Sequence, residues 1–323
     1  MSLPIYASPL ERVWYYTFRA ICVLVFVFLV APILIVIPLS FNVEPYFTFT
    51  HKMLTFDPTG YSLRWYDLLL TQGLQNPDAP RDWAWWGQVW EQATWVKAAK
   101  NSLWIGLWAT VLATVLGTMA ALGLTRPEMP YRRVIMAILI SPMIVPIIII
   151  ATGLFFAYSS ACVPPDTAIG AVLSPFLSPK GCLANSHLGI ILAHAILGIP
   201  FVIITVSATL QGFDQSLIRA AASLGANPRT TFFKVIMPLI LPGVISGGLF
   251  AFVTSFDEVV AVLFIAGPDQ QTIPRQMWNG IREAISPAIL AVATILVIVS
   301  IALLATVELL RRRSERLRGV TPQ

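Results

Sequence analysis

Residues 219–238 read Arg219-Ala-Ala-Ala-Ser-Leu-Gly-Ala-Asn-Pro-Arg-Thr-Thr-Phe-Phe-Lys-Val-Ile-Met-Pro238 and run on through Pro242-Gly243 into an apolar stretch. Good helix formers fill Arg219 to Leu224, Gly225 suits the left-handed conformation that closes a helix, and Asn227-Pro228 suits the opening of the next. The segment therefore predicts two short helices broken at a turn, with Phe232, Phe233, Val235, Ile236 and Met237 supplying apolar side chains beyond it. The flanks of the segment decide the fold. Apolar runs over 188–210 and 239–264 are each long enough to cross the bilayer, because a helix rises about 1.5 Å per residue and about 20 apolar residues span the hydrocarbon core. A helical pair hung between two such runs is a membrane-protein loop.

Further outward lie four more apolar runs, at 20–39, 102–124, 134–157 and 286–309. The expected fold is an all-α polytopic membrane protein with six transmembrane helices. Composition agrees: 57% of residues are hydrophobic and 11% charged, where soluble domains carry about 25% charged residues. The first run is too long for a signal peptide and no small-residue cleavage site succeeds it, so it reads as a retained span. The expected organisation is a cytoplasmic N-terminus over 1–19 and a six-helix domain over 20–310. That domain carries an outer loop at 40–101 and the inner loop at 211–238, and a basic cytoplasmic tail closes the chain at 311–323.

Orientation is read from Lys and Arg. With the N-terminus inside, the inner pieces hold 13 basic residues and the longer outer pieces 8, and the tail cluster Arg311, Arg312, Arg313, Arg316 and Arg318 weighs most. Basic residues concentrate on the cytoplasmic side, so both termini are expected there. The net charge of +5 is scattered singly between apolar runs without a nucleic-acid-binding motif, which excludes nucleic acid as the partner. The three cysteines are too far apart for a metal site, and no phosphate-cradling GxxxxGK[ST] loop occurs, so no metal or cofactor is expected on this chain. Any ATP and magnesium that drive it belong to another chain.

The inner loop resembles the EAA loop of binding-protein-dependent ABC importer permeases through Ala220, Ala221, Leu224, Gly225, Ala226, Phe232, Val235, Pro238, Pro242 and Gly243. Arg219 stands where that family carries Glu. Tyr61-Ser-Leu-Arg-Trp-Tyr66 is similar to the family's segment before its second span, and Lys100-Asn-Ser-Leu103 to its entry into that span. The resemblance implies a type I importer permease fold in a bacterial inner membrane. It also implies obligate pairing with a second permease subunit, two ATP-binding cassette subunits gripping the inner loops, and a periplasmic substrate-binding protein delivering cargo. Arg219, Ala220, Ala221, Leu224, Gly225 and Ala226 would then form the ATPase-coupling surface.

Asp257 and Glu258 lie in the apolar run Thr-Ser-Phe-Asp-Glu-Val-Val, a costly place for charge. With Gly267-Pro268 downstream, this run resembles the spermidine/putrescine permeases, which implies a polyamine or related small cation attracted by carboxylates on the pathway. A contact with the partner permease or the binding protein is the alternative role. Permeases with this loop also serve ferric iron, opines, phosphonates and thiamine. An ion-coupled secondary transporter is the rival from another class, but no internal repeat is evident and the inner loop has no purpose in it.

Other features carry two readings each. Trp83, Trp85, Trp86, Trp90 and Trp95 make 81–97 either an interfacial helix or an aromatic cage for a cation. Cys162 and Cys182 close a 21-residue outer loop, as a disulfide in an oxidising compartment or as two free thiols. Prolines at 32, 38, 142, 146, 200 and 242 either kink spans for movement or reflect ordinary membrane composition. His194 reads as a packing residue rather than a proton relay, and Gly243, Gly247 and Gly248 read as a close-approach face.

Overall fold

The computed structural model describes residues 8–317 apart from 127, 165, 175, 215, 284 and 285. Of the basic tail, residues 318–323, Arg318 among them, lie outside the described residues. Among those described, the chain is helical with only two isolated β-bridges. Two compact units emerge, one of Trp90–Asn279 and one of the described residues up to Val89 and from Gly280 onward.

In the second of these units, α1 (Pro9–Leu39) starts at a capping box. The Ser8 hydroxyl accepts the Glu11 N–H at 3.3 Å while the Glu11 carboxylate accepts the Ser8 N–H at 2.7 Å, and Pro9 sits where its missing donor costs nothing. Nearly every apolar side chain along α1 is exposed, as expected of a helix solvated by lipid. After α2 (His51–Leu54), the Tyr61–Tyr66 segment folds back on the end of α1: Trp65 Nε1 donates to Asn42 O at 2.7 Å, and the Ser40 and Tyr66 hydroxyls meet at 2.7 Å. Next in the chain is α3 (Arg64–Thr71).

The helix expected over 81–97 is shorter than that range. α4 covers Trp83–Gln92, extended Ala93 breaks the chain, and α5 runs Thr94–Leu124, so Trp95 and Lys97 belong to the long second helix. Trp85 and Trp95 are buried whereas Trp83 is 93% exposed, so the five tryptophans do not share one environment.

The expected span 134–157 is not one helix. α6 (Arg132–Ile144) and α7 (Ile147–Ser160) meet at a bend of 103°. Pro146 forbids the helical region to its predecessor, and Val145 is accordingly extended at ψ 135. α8 (Ala168–Leu173) lies in the outer loop before α9 (His187–Gln211).

The inner loop holds α10 (Ser216–Ser223) and α11 (Pro228–Thr231), then α12 (Met237–Asp257). The expected continuous span 239–264 is broken at Glu258 and Val259, beyond which stand α13 (Val260–Ile265), α14 (Ile273–Glu283) and α15 (Ala288–Leu317). Among the described residues four helices are long and apolar enough to cross a membrane, with the bent pair a fifth candidate. The apolar part of α15, Ala288–Ala302, falls short of that length, so six spans stays an expectation.

The core of the Trp90–Asn279 unit is α5, α9 and α12, packed through Ala113, Ala121, Ala195, Val202, Val206, Ile240, Val244 and Ala251. Small residues set the spacing. A Cβ on Gly247 would fall 2.8 Å from Val202 Cα, and one on Gly243 3.0 Å from Thr205 O. Such backbone approach is how helices associate in lipid, where burial from water offers no driving force.

Candidate functional site

The inner loop is built from local chemistry. The Asp214 carboxylate accepts the Ser216 N–H at 2.8 Å just ahead of α10. The Ser216 hydroxyl, then its backbone N–H, with Arg219 adding a smaller attraction, hold the Asp214 carboxyl below the usual carboxylate range. At the other end Gly225 takes φ +77. Its N–H donates to Ala222 O at 3.0 Å and the Ala226 N–H reaches back to Ala221 O at 3.0 Å, the paired bonds of a Schellman turn. Asn227 Oδ1 then accepts the Thr230 N–H at 2.8 Å and opens α11 with Pro228 at its first position.

All six residues of the expected coupling surface therefore fall on α10 and its closing turn. Arg219, Ala220 and Ala221 are on the helix; Leu224, Gly225 and Ala226 make the turn. Ala221 is buried, while Leu224 presents an apolar side chain that is 88% exposed. Sequence reasoning missed the irregular turn just beyond α11: Phe232–Ile236 is a π turn in which the Met237 N–H bonds Phe232 O, five residues back. Pro238, which has no N–H to give, comes next, and this pairing is the signal that was available.

Asp257 and Glu258 meet different surroundings. Asp257 ends α12 and is exposed, whereas Glu258 is half-buried in the break and its carboxylate accepts the Ala261 N–H at 3.0 Å, capping α13. Glu258 is thus occupied with backbone, whereas the Asp257 carboxylate is open. His194 is fully enclosed, with Nδ1 2.8 Å from the Ser255 hydroxyl across the α9–α12 contact, a packing arrangement. Cys162 and Cys182 are joined by a disulfide at an antiparallel bridge between the two ends of the outer loop. Cys22 is free and exposed.

Among known proteins, residues 113–316 match the family model described as "Binding-protein-dependent transport system inner membrane component". The chain is 30% identical over 232 residues to the spermidine/putrescine transport system permease protein PotC of Haemophilus influenzae, covering 72% of this chain and 82% of that one. It is 29% identical over 300 residues to the putrescine transport system permease protein PotI of Escherichia coli K12, covering 91% and 88%. In fold it is similar to a chain in the crystal structure of a bacterial ABC transporter involved in the import of the acidic polysaccharide alginate. That likeness has a TM-score of 0.59 at 16% identity and covers 96% of this chain and 99% of that one.

Proposed function

That the chain belongs to the family of binding-protein-dependent transport system inner membrane components is the premise from which we propose that it forms part of a translocation path for polyamines. It is a multi-pass inner-membrane permease subunit of an ABC importer, a transport component rather than an enzyme. The observation that supports the substrate class is one open carboxylate, Asp257, at the end of an otherwise apolar α12 in a chain similar to two polyamine permeases. Charge at such a place is costly unless it meets an opposite charge, and the ammonium groups of a polyamine supply it.

The same reading extends to the rest of the assembly. A second permease completes the path, two ATPase subunits bind ATP and magnesium and grip the inner loops, and both termini face the cytoplasm. The α10 helix and its Schellman turn offer Leu224 and a small-residue face to an ATPase groove, a helix-in-groove contact that carries force. Closure of the ATPase pair on ATP then shifts the permease between two states, and hydrolysis resets it. The decisive experiment reconstitutes the four kinds of subunit in proteoliposomes and measures ATP hydrolysis with the binding protein loaded. Stimulation by spermidine or putrescine is expected. Stimulation by an anion alone would overturn the substrate reading.

A further inference from the structure

We propose that Arg275 and Asn101 are positioning residues that hold the outer turn 266–273 as a fixed gate element of the translocation path, an inference that rests on the reading of the chain as a permease. α13 is a half-helix of six residues beyond the break in the fifth apolar run. The last carbonyls of any helix lack intrahelical donors. Arg275, near the start of α14, folds back on them: its Nη1 donates to Ala266 O at 3.0 Å and Gly267 O at 3.1 Å and reaches Val262 O at 3.5 Å. A cation at a helix C-terminus also complements the helix dipole.

The opposite side of the turn is held from α5. Asn101 Nδ2 donates to Asp269 O at 2.8 Å and to Gln271 O at 2.9 Å, and the adjacent Ser102 hydroxyl accepts the Ile273 N–H at 2.8 Å. The backbone from 266 to 273 is therefore pinned by side chains from two helices far apart in sequence. Arg275 is arranged at a cost besides. Among the described residues no carboxylate lies within ion-pair distance of it, and its Nε is buried without an acceptor. The pinned turn also supplies Pro268, Asp269 and Gln271 to the wall of an open cavity of about 380 Å³ shared with Asn101, Glu91 and Lys97. Releasing the turn changes the shape of that opening.

The test uses the full complex in proteoliposomes with Cys22→Ser and a reporter at Thr272→Cys, a buried position of the pinned turn, labelled from outside by a membrane-impermeant maleimide. Asn101→Ala and Arg275→Ala are each expected to raise the labelling rate by about tenfold, the factor set by loss of a charge-assisted or paired hydrogen bond. Polyamine uptake falls while ATP hydrolysis without binding protein stays at the parental rate. Arg275→Lys, which keeps the charge but not the planar fork, falls between. Parental labelling and uptake in both alanine variants would overturn the proposal. So would failure of both to assemble alongside a lysine variant at parental rates, since that pattern belongs to a purely structural residue. Labelling needs no substrate, so a parental complex that takes up no polyamine would sink the substrate reading and leave the clamp fully tested.

Discussion

Gly225 isolates a backbone effect on coupling. Its φ is +77, and a Cβ built there meets nothing within 4 Å, so a substitution adds strain without a collision. An L-residue in the left-handed region costs about 1 kcal/mol and a β-branched one about 2 kcal/mol. At about 2 kcal/mol the balance between the closed and the opened turn moves about 30-fold. Opening also releases the Gly225–Ala222 and Ala226–Ala221 bonds that finish α10, an eight-residue helix too short to persist alone. Asn tolerates this conformation, so coupling in reconstituted complexes, measured as polyamine taken up per ATP hydrolysed, should rank Gly, then Asn, then Ala, then Val. Gly225→Val should still insert and co-purify with its partners. Coupled uptake by the valine variant at the parental rate would refute the reasoning. An asparagine variant as impaired as valine would refute it too, because bulk rather than φ would then be the cause.

Close contacts set three further expectations. Gly247→Val drives its Cβ into Thr205 Oγ1 and to 2.8 Å from Val202 Cα. It should cost about 1–3 kcal/mol, read as a lower melting temperature in detergent; an unchanged melt would contradict the α9–α12 packing. Reducing Cys162–Cys182, which are 20 positions apart, should destabilise the outer loop by about 3 kcal/mol, and alkylation of both cysteines without reductant would show them unpaired. Asp257→Asn should impair polyamine uptake with assembly intact, whereas Glu258→Gln keeps an acceptor for the Ala261 N–H and should be milder. Glu258→Leu loses the cap, at about 1 kcal/mol. Uptake by Asp257→Asn at the parental rate would remove that carboxylate from the path.

The inner loop was legible because its geometry is set residue by residue: Gly225 by its freedom at positive φ, Asn227-Pro228 by the cap the pair makes. Where an apolar run was judged by length, the reading merged elements the chain separates. Pro142 and Pro146 announced the bend after Ile144, yet a window of about 20 apolar residues passes over them. The break at Glu258 had no such sign, since Thr-Ser-Phe-Asp-Glu-Val-Val contains neither glycine nor proline. At the break the Glu258 carboxylate accepts the N–H of Ala261, a bond no local pattern announces. Partners across the fold were invisible for a different reason. Gly243 and Gly247 foretold a close approach but not Thr209 and Thr205 opposite them, and His194 did not reveal Ser255. Asn101 bonds the Asp269 carbonyl 168 positions away, a relation no local pattern encodes.

The irregularities of α12 bear directly on how the proposed coupling would travel. Its 21 residues make a rod of about 31 Å. One end meets the π turn at Phe232–Ile236 with Pro238 close behind; the other meets the break at Glu258 and Val259. Departures from regular helix concentrate deformation where they occur, because the missing and shifted hydrogen bonds are those that resist bending. Between them, the face toward α9 sets Gly243 and Gly247 against Thr209 and Thr205 within a core of Val202, Val206, Ile240 and Val244, and packed helices of this kind move past one another in small shear steps. A displacement imposed on α10 would therefore pass through the π turn into α12 as a rigid movement and emerge at the Glu258 break. There α13 and the 266–273 turn are held by Arg275 and Asn101 and cannot simply move along. Motion would appear as a change of angle at Glu258, beside the one open carboxylate of the run, Asp257, and access to that carboxylate would change with the state of the loop.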